Sequence, residues 1–288
     1  MAPPHMGRMP EPSFTIFDRT AVRHHRDRAA ATVDRVQDVL ADMAERLVDR
    51  IDDTTVRFTQ ALDVGGRGVV APMLRARGLD VVSCDLSPRM AARNGHPAVC
   101  ADEERLPFGP GAFDLVVANL SLHWVNDLPG ALIQLRMALR PGGLLLANFP
   151  VLGTLGTLRT ALTEAETTLS GGVSPRISPL PELRDLVSLM QRAGFELPVA
   201  DADEVSLAYA DPWALFSDLR AAGETNAVAL RDRRPPPRGL LGAALAGVMA
   251  QGDRLAATLR LGTVTGWAPG ARSAPSPVSS SSKARMTG

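Results

Sequence analysis

Three carboxylates, each at the end of a short apolar run, are the residues best placed to do chemistry. Asp63 ends the run in "TQALDVG", Asp85 ends "LDVVSCD", and "AVCAD" closes on Asp102, with Glu103 behind it. Gly65, Gly66 and Gly68 follow the first acid, and glycines there let a ligand approach the backbone closely. The stretch Gly66-Arg-Gly68-Val-Val-Ala71 also fits the loose dinucleotide pattern GxGxxG/A, with Asp85 as the acid further on. Asp63 argues against a dinucleotide, because its carboxylate would sit beside the helix N-terminus where a pyrophosphate must bind. Like charges in a partly desolvated crevice repel by several kcal/mol. A cofactor carrying an ammonium and a sulfonium reverses that sign, and S-adenosylmethionine is such a molecule. Asp85, with Leu86 beside it, then accepts from the ribose hydroxyls, and Asp102 or Glu103 reaches the adenine amino group.

Further along, Asn119 closes the run "FDLVVANLS", and His123 and Trp124 follow it. The His-Trp pair reads equally as core packing or as the wall of a substrate pocket. Pro175, Arg176 and Ser178 form either an ordinary loop or a lid, and Glu224 and Asn226 either cap a helix or touch substrate. No catalytic residue is assigned; His123, Trp124 and Asn119 are the candidates. Methyl transfer from a sulfonium is an in-line displacement with a neutral leaving group, so alignment and exclusion of water carry most of it. A general base is needed only where the acceptor loses a proton. Apart from His123 none follows the fourth run, which suits a low-pKa acceptor such as a carboxylate.

These residues need a sheet to bring them together. The apolar runs alternate with helical patterns over Val69–Arg77, Ser87–Asn94 and Leu128–Leu139, and "PGGLLLANFP" supplies a fifth strand. Almost wholly apolar strands alternating with helices predict an α/β, Rossmann-like, doubly wound parallel sheet covered on both faces. Residues 14–51 predict one amphipathic helix ahead of it, with Val33, Val36, Val39, Leu40, Met43 and Leu47 on its apolar face. After Val151 the pattern becomes helix, loop, helix, strand ("VADADEVSLAY") and a helix stopped by Gly223, followed by the loop "RDRRPPPRG". The expected organisation is disorder over 1–13 and 268–288 around one domain, 14–267. Its cofactor half is 56–150 and its substrate and lid half 151–267.

Lys+Arg and Asp+Glu balance at 31 each, so charge offers no case for a nucleic-acid partner. Cys84 and Cys100 show no CxxC or Cys/His grouping, which predicts two buried thiols and no metal site. "MAPPHMGRMPEPS" lacks the apolar core of a secretory signal, and Gly239–Ala250 is too short to span a bilayer. A cytoplasmic chain with no transmembrane segment is the expectation.

"LDVGGRG", "CDLS", "ADEERLPF", "FDLVVANLSLHWVNDLPGAL" and "LRPGGLLLANF" together resemble the class I S-adenosylmethionine-dependent methyltransferases. Within these, "IFDR", "SLHWVNDLP", "GGVSPRISP", "RAGF", "DADEVSLAY", "DLRAAGETN" and "TGWAP" resemble the mitochondrial complex I assembly factor 5 group and its bacterial relatives. The resemblance spans roughly Phe14 to Pro269. It implies S-adenosylmethionine as cofactor, with Asn119 lining the methyl-transfer end. It also implies, as partner, a complex I subunit whose arginine is hydroxylated rather than methylated. Hydroxylation needs oxygen activation, and the sequence shows no 2-His-1-carboxylate spacing or cysteine set for iron. The malonyl carrier-protein O-methyltransferases of biotin synthesis share much of the first half, which implies a carrier-protein or small-molecule acceptor instead. A third possibility is a non-catalytic assembly chaperone with a structural cofactor. Gly66 stands where these relatives usually carry Cys, a change expected only to loosen the loop.

Overall fold

The computed structural model describes residues 15–249 and 253–270. Five strands run parallel: β1 (Gln60–Val64), β2 (Asp80–Asp85), β3 (Ala98–Cys100), β4 (Phe113–Asn119) and β5 (Leu139–Pro150). Two long strands, β6 (Glu196–Tyr209) and β7 (Leu255–Trp267), complete a seven-stranded sheet in the order β3-β2-β1-β4-β5-β7-β6: β7 runs antiparallel to its neighbours β5 and β6, and β6 shares the direction of the first five. Asp63 pairs with Ser83 and Asp85 with Cys100, so the acids that end β1 and β2 lie along one carboxyl edge with Asn119 of β4. Ligands of open α/β sheets bind at that edge.

Helices cover both faces. On one side, α2 (Gln37–Val48) and α3 (Val70–Ala76) bury Leu40, Met43, Leu47 and Leu74 against Val117 and Leu146. On the other, α5 (Leu128–Ala138) and α7 (Leu183–Arg192) bury Leu132, Leu135, Leu186 and Met190 against Leu62, Val116 and Leu145. Three further helices, α6 (Gly156–Ser170), α8 (Pro212–Ala222) and α9 (Leu240–Met249), build a separate apolar cluster around Leu158, Leu162, Leu215 and Leu245. Local sequence sets the boundaries. Ser87 caps α4 (Pro88–Arg93) by accepting from the Met90 N–H at 3.0 Å, with Pro88 in its first turn. Gly223 ends α8 at φ +78°.

Four expectations are corrected. The helix expected over 14–51 is two: α1 (Arg19–Ala29) ends, a 3₁₀ turn follows at Val33–Val36, and α2 continues. The apolar spacing runs from the 3₁₀ turn (Val33, Val36) into α2, whereas α1 is rich in arginine and buries Arg26 beside Ala21, Val22 and Ala29. The strand β7 was assigned to no element, because Gly262 and Gly266 interrupt its pattern. A Cβ at Gly262 would lie 2.6 Å from Val151 Cγ1, and one at Gly266 2.5 Å from Met190 Cε, so the bare backbone is what admits the helices on that face. Cys84 is buried, but Cys100 is exposed at the sheet edge. Ala268 still pairs with Gly143, inside the expected tail; residues 1–14 and 271–288 lie outside the described residues. Among the described residues no helix is long and apolar enough to cross a membrane.

Candidate functional site

The turn after β1 holds Gly65 at φ +68° and Gly68 at φ +86°, with Gly66 between them. A Cβ at Gly65 would stand 2.5 Å from Ser121 Cβ, and one at Gly66 only 2.2 Å from Asp63 Oδ1. Gly66 therefore does more than loosen the loop: its missing side chain gives the Asp63 carboxylate its place. Asp63 is fully buried, accepts from Ser83 Oγ at 3.3 Å, and keeps Oδ1 without a partner. Burial pushes its pKa up to about 7, against the Ser83 hydrogen bond.

The other acids meet arginines of α1. Arg26, fully buried, lies 3.2 Å from both Asp85 Oδ2 and Glu103 Oε1. Asp85 also accepts from the Ser87 N–H at 2.8 Å, and burial raises its pKa while Arg26 opposes the rise. Burial works against the charge on Arg26, yet Asp85 and Glu103 hold its pKa above the ordinary arginine value. Arg19 pairs with Glu103 and, at 2.6 Å, with Asp102, whose side chain remains 31% exposed. Glu103 is thus the enclosed acid and Asp102 the rim. Leu86 is half-buried against Phe17, Val22 and Trp124. Two of the selective sequence motifs meet here: Arg19 donates to the Trp124 carbonyl at 3.0 Å, and Asn126 Oδ1 accepts from the Ile16 and Phe17 amides.

Beyond β4 the picture changes. Asn119 does not face the crevice. Its Oδ1 accepts from Asn148 Nδ2 at 2.8 Å and its own Nδ2 points to the Leu40 carbonyl, so it ties β4 to β5 and α2. His123 and Trp124 are both buried, and both donate to Glu224 Oε2 at 2.8 Å, His123 through Nε2. Arg67, only 3% exposed, donates to the Leu120 carbonyl at 2.9 Å and to Glu224 Oε1. Burial favours a neutral Glu224, but His123 and Arg67 overcome it and hold the carboxyl at about 2.

This cluster closes one end of a cavity of about 310 Å³ whose walls are leucines from α2, α6, α8 and β7, together with Met43 and Phe216. Arg176, Ile177 and Ser178 line it too, so the "GGVSPRISP" loop covers this cavity. Asn226 fastens that loop by donating to the Pro175 carbonyl at 2.7 Å. Glu224 and Asn226 both line the cavity, and Asn226 also fastens its cover.

Sequence reasoning missed Arg19, Arg26 and Arg67. Nothing local marks Arg26, whose partners come 59 and 77 residues later. Arg67 carried only its place between Gly66 and Gly68, since nothing in the sequence tells which way its side chain turns.

A parallel sheet carrying antiparallel β7 between β5 and β6, with a glycine turn after β1 and acids at the next strand ends, defines a class I methyltransferase-fold protein. Residues 62–147 match the family described as "Methyltransferase domain". The chain is 36% identical over 222 residues to the mitochondrial arginine-hydroxylase NDUFAF5 of Danio rerio, covering 74% of this chain and 69% of that protein. The Homo sapiens counterpart is 39% identical over 223 residues, of which this chain spans 65% of the length. A malonyl-[acyl-carrier protein] O-methyltransferase of Laribacter hongkongensis is 33% identical over 283 residues, 88% of this chain and 91% of that protein. The fold matches Haemonchus contortus phosphoethanolamine N-methyltransferase 2 with TM-score 0.53 at 16% identity, over 86% of this chain and 60% of that one. The chain belongs to the methyltransferase-fold enzyme family that contains these hydroxylases and carrier-protein methyltransferases.

Proposed function

We propose that the chain binds S-adenosylmethionine in the acid crevice and transfers a group from or beside it to an acceptor in the adjoining cavity. One observation carries the reading: Asp63, fully buried, keeps a carboxylate oxygen without a partner beside the glycine turn after β1. A buried carboxylate without a partner calls for a cation. Asp63 would take the ammonium of the cofactor, Asp85 its ribose hydroxyls, and Glu103 its adenine end. When bound, the cofactor supplies a methyl group on a sulfonium that departs as a neutral thioether. Arg26 now fills the space beside Asp85 and must give way, so binding includes a displacement of α1. His123, fixed through Nε2 to Glu224, would hold the acceptor side of the site in one orientation.

The likeness to arginine-hydroxylases supports a second reading, in which the modified group is an arginine on a respiratory complex I subunit. Product mass separates the two, one added oxygen against one added CH₂. For the cofactor, isothermal titration and thermal melting should show S-adenosylmethionine and S-adenosylhomocysteine bound and NAD unbound. A ligand at 100 times its dissociation constant should add about 2.7 kcal/mol to stability. NAD bound, with neither sulfur compound bound, would overturn the assignment.

A further inference from the structure

Buried polar atoms that lack a hydrogen-bond partner mark what a site is still able to bind. At the polar end of the cavity these are Arg67 Nε and Nη1, His123 Nδ1 and, on the covering loop, Arg176 Nε; no carboxylate oxygen of the cavity is among them. Both oxygens of Glu224 already accept, one from Arg67 and the other from His123 and Trp124. Asp218, the other acid on the wall, accepts from Arg35 at 2.7 Å. A guanidinium or ammonium entering here would find every carboxylate engaged, whereas an oxyanion would find a buried guanidinium with two idle donors.

The backbone adds an independent sign. Four non-glycine residues among those described hold positive φ, and three of them, Arg67 (49°), Leu120 (50°) and Leu155 (52°), line this one cavity. Such conformations are strained and gather at ligand sites. Leucines dominate the remaining wall, among them Leu40, Leu158, Leu162, Leu207, Leu215 and Leu259, with Tyr209, Phe216 and Arg220 also on it.

We propose that the cavity binds an aliphatic chain ending in a carboxylate, with the chain along the leucine wall and the head on the Arg67 guanidinium. This rests on the transferase reading only in taking the cavity as the acceptor side. At about 310 Å³ the space lies at the lower end of the ~300–1,000 Å³ of small-molecule pockets, which suits a medium-length chain.

The test is isothermal titration of the full chain with octanoate, octan-1-ol and octylamine, each with and without saturating S-adenosylhomocysteine. Octanoate should bind about tenfold or more tighter than octanol, the weight of one charge-assisted hydrogen bond, and octylamine weakest. Arg67→Met should erase the preference for octanoate while octanol still binds, which also shows the fold intact. Leu162→Trp, which fills the cavity from α6 and spares Arg67, should abolish binding of all three. Octylamine binding as tightly as octanoate, or no difference among the heads, would overturn the proposal. So would an Arg67→Met protein that loses S-adenosylhomocysteine in equal measure, since the guanidinium would then serve the cofactor. Octanoate preferred while S-adenosylhomocysteine fails to bind would sink the transferase reading and leave this site standing.

Discussion

In the acid crevice four carboxylates, Asp63, Asp85, Asp102 and Glu103, face two guanidiniums, Arg19 and Arg26, and Asp63 Oδ1 and the Nε of each arginine are left without partners. In the neighbouring cavity one carboxylate, Glu224, faces Arg67, His123 and Trp124, and Arg67 Nε and Nη1 and His123 Nδ1 are left without partners. Both regions are buried networks of the same residue types, a few residues apart along the β1 and β4 loops. The crevice has more carboxylates than guanidiniums, and the cavity end has more donors than its one carboxylate. A buried network with a surplus of acceptors suits a cation, and one with a surplus of donors suits an anion. That division is what a transferase needs when a cationic donor and an anionic acceptor must sit side by side without exchanging places.

The largest effects should come from removing the single residue that balances each network. Arg26→Ala leaves Asp85 and Glu103 buried without their guanidinium, and losing one partner of a buried pair costs about 3–5 kcal/mol. Glu224→Ala strands Arg67 and His123, at a similar cost of about 3–5 kcal/mol in urea or thermal melts. The comparison sharpens in the rescue. S-adenosylmethionine should stabilise Arg26→Ala by more than it stabilises the unaltered chain, and Glu224→Ala by no more than that, and octanoate should do the reverse. One ligand giving the excess in both variants would mean that the two regions are a single pocket.

The two regions also differ in how far the sequence discloses them. The crevice is written locally: Asp63, Asp85 and Glu103 each follow an apolar run, and the alternation of strands and helices places run ends on one edge. The cavity is not, because its parts come from α2, the glycine turn, α6, α8 and β7, and its central pair, Arg67 and Glu224, is 157 residues apart. Periodicity reports which face of a helix is apolar but not which other helix it meets. Even in the crevice the sequence showed the acids and not their partners. Arg26 lies on a helix whose pattern is dominated by charge, and only its partners across the fold explain its burial. Asn119 shows the same limit: position at a strand end says nothing of which way an amide turns, and Asn148 on β5 donates to it.

A smaller effect tests the surplus charge of the crevice through pH. Asp63 titrates near 7 in the folded chain against an ordinary 3.8, so the native state keeps a proton that the unfolded state has released. Stability should therefore fall as pH rises from about 4 to about 7, by an amount of order 1–4 kcal/mol. Asp63→Asn removes that slope, and urea midpoints at about pH 5 and about pH 8 should then agree apart from other groups. In the unaltered chain cofactor affinity should rise over the same interval, because the ionised carboxylate is the form that meets a cation. An unchanged slope in Asp63→Asn would place the buried proton on another residue.

The smallest effect belongs to the rim. Asp102 was expected to reach the adenine amino group, but its carboxylate is turned to Arg19 at 2.6 Å with the side chain 31% exposed. Arg19 keeps a second partner, Glu103, which is enclosed. Removing Asp102 leaves no buried charge uncompensated, so Asp102→Ala should cost less than about 1 kcal/mol of stability, as for other solvent-screened pairs. The same change at Glu103 strips both Arg19 and Arg26 of a buried partner and belongs with the larger losses. Cofactor affinity gives the discriminating readout: it should stay within about twofold in Asp102→Ala and drop about tenfold or more in Glu103→Ala, one charge-assisted hydrogen bond apart. If the order is reversed, the rim acid reaches the cofactor once α1 has moved, and the crevice extends further toward solvent than Arg19 now allows.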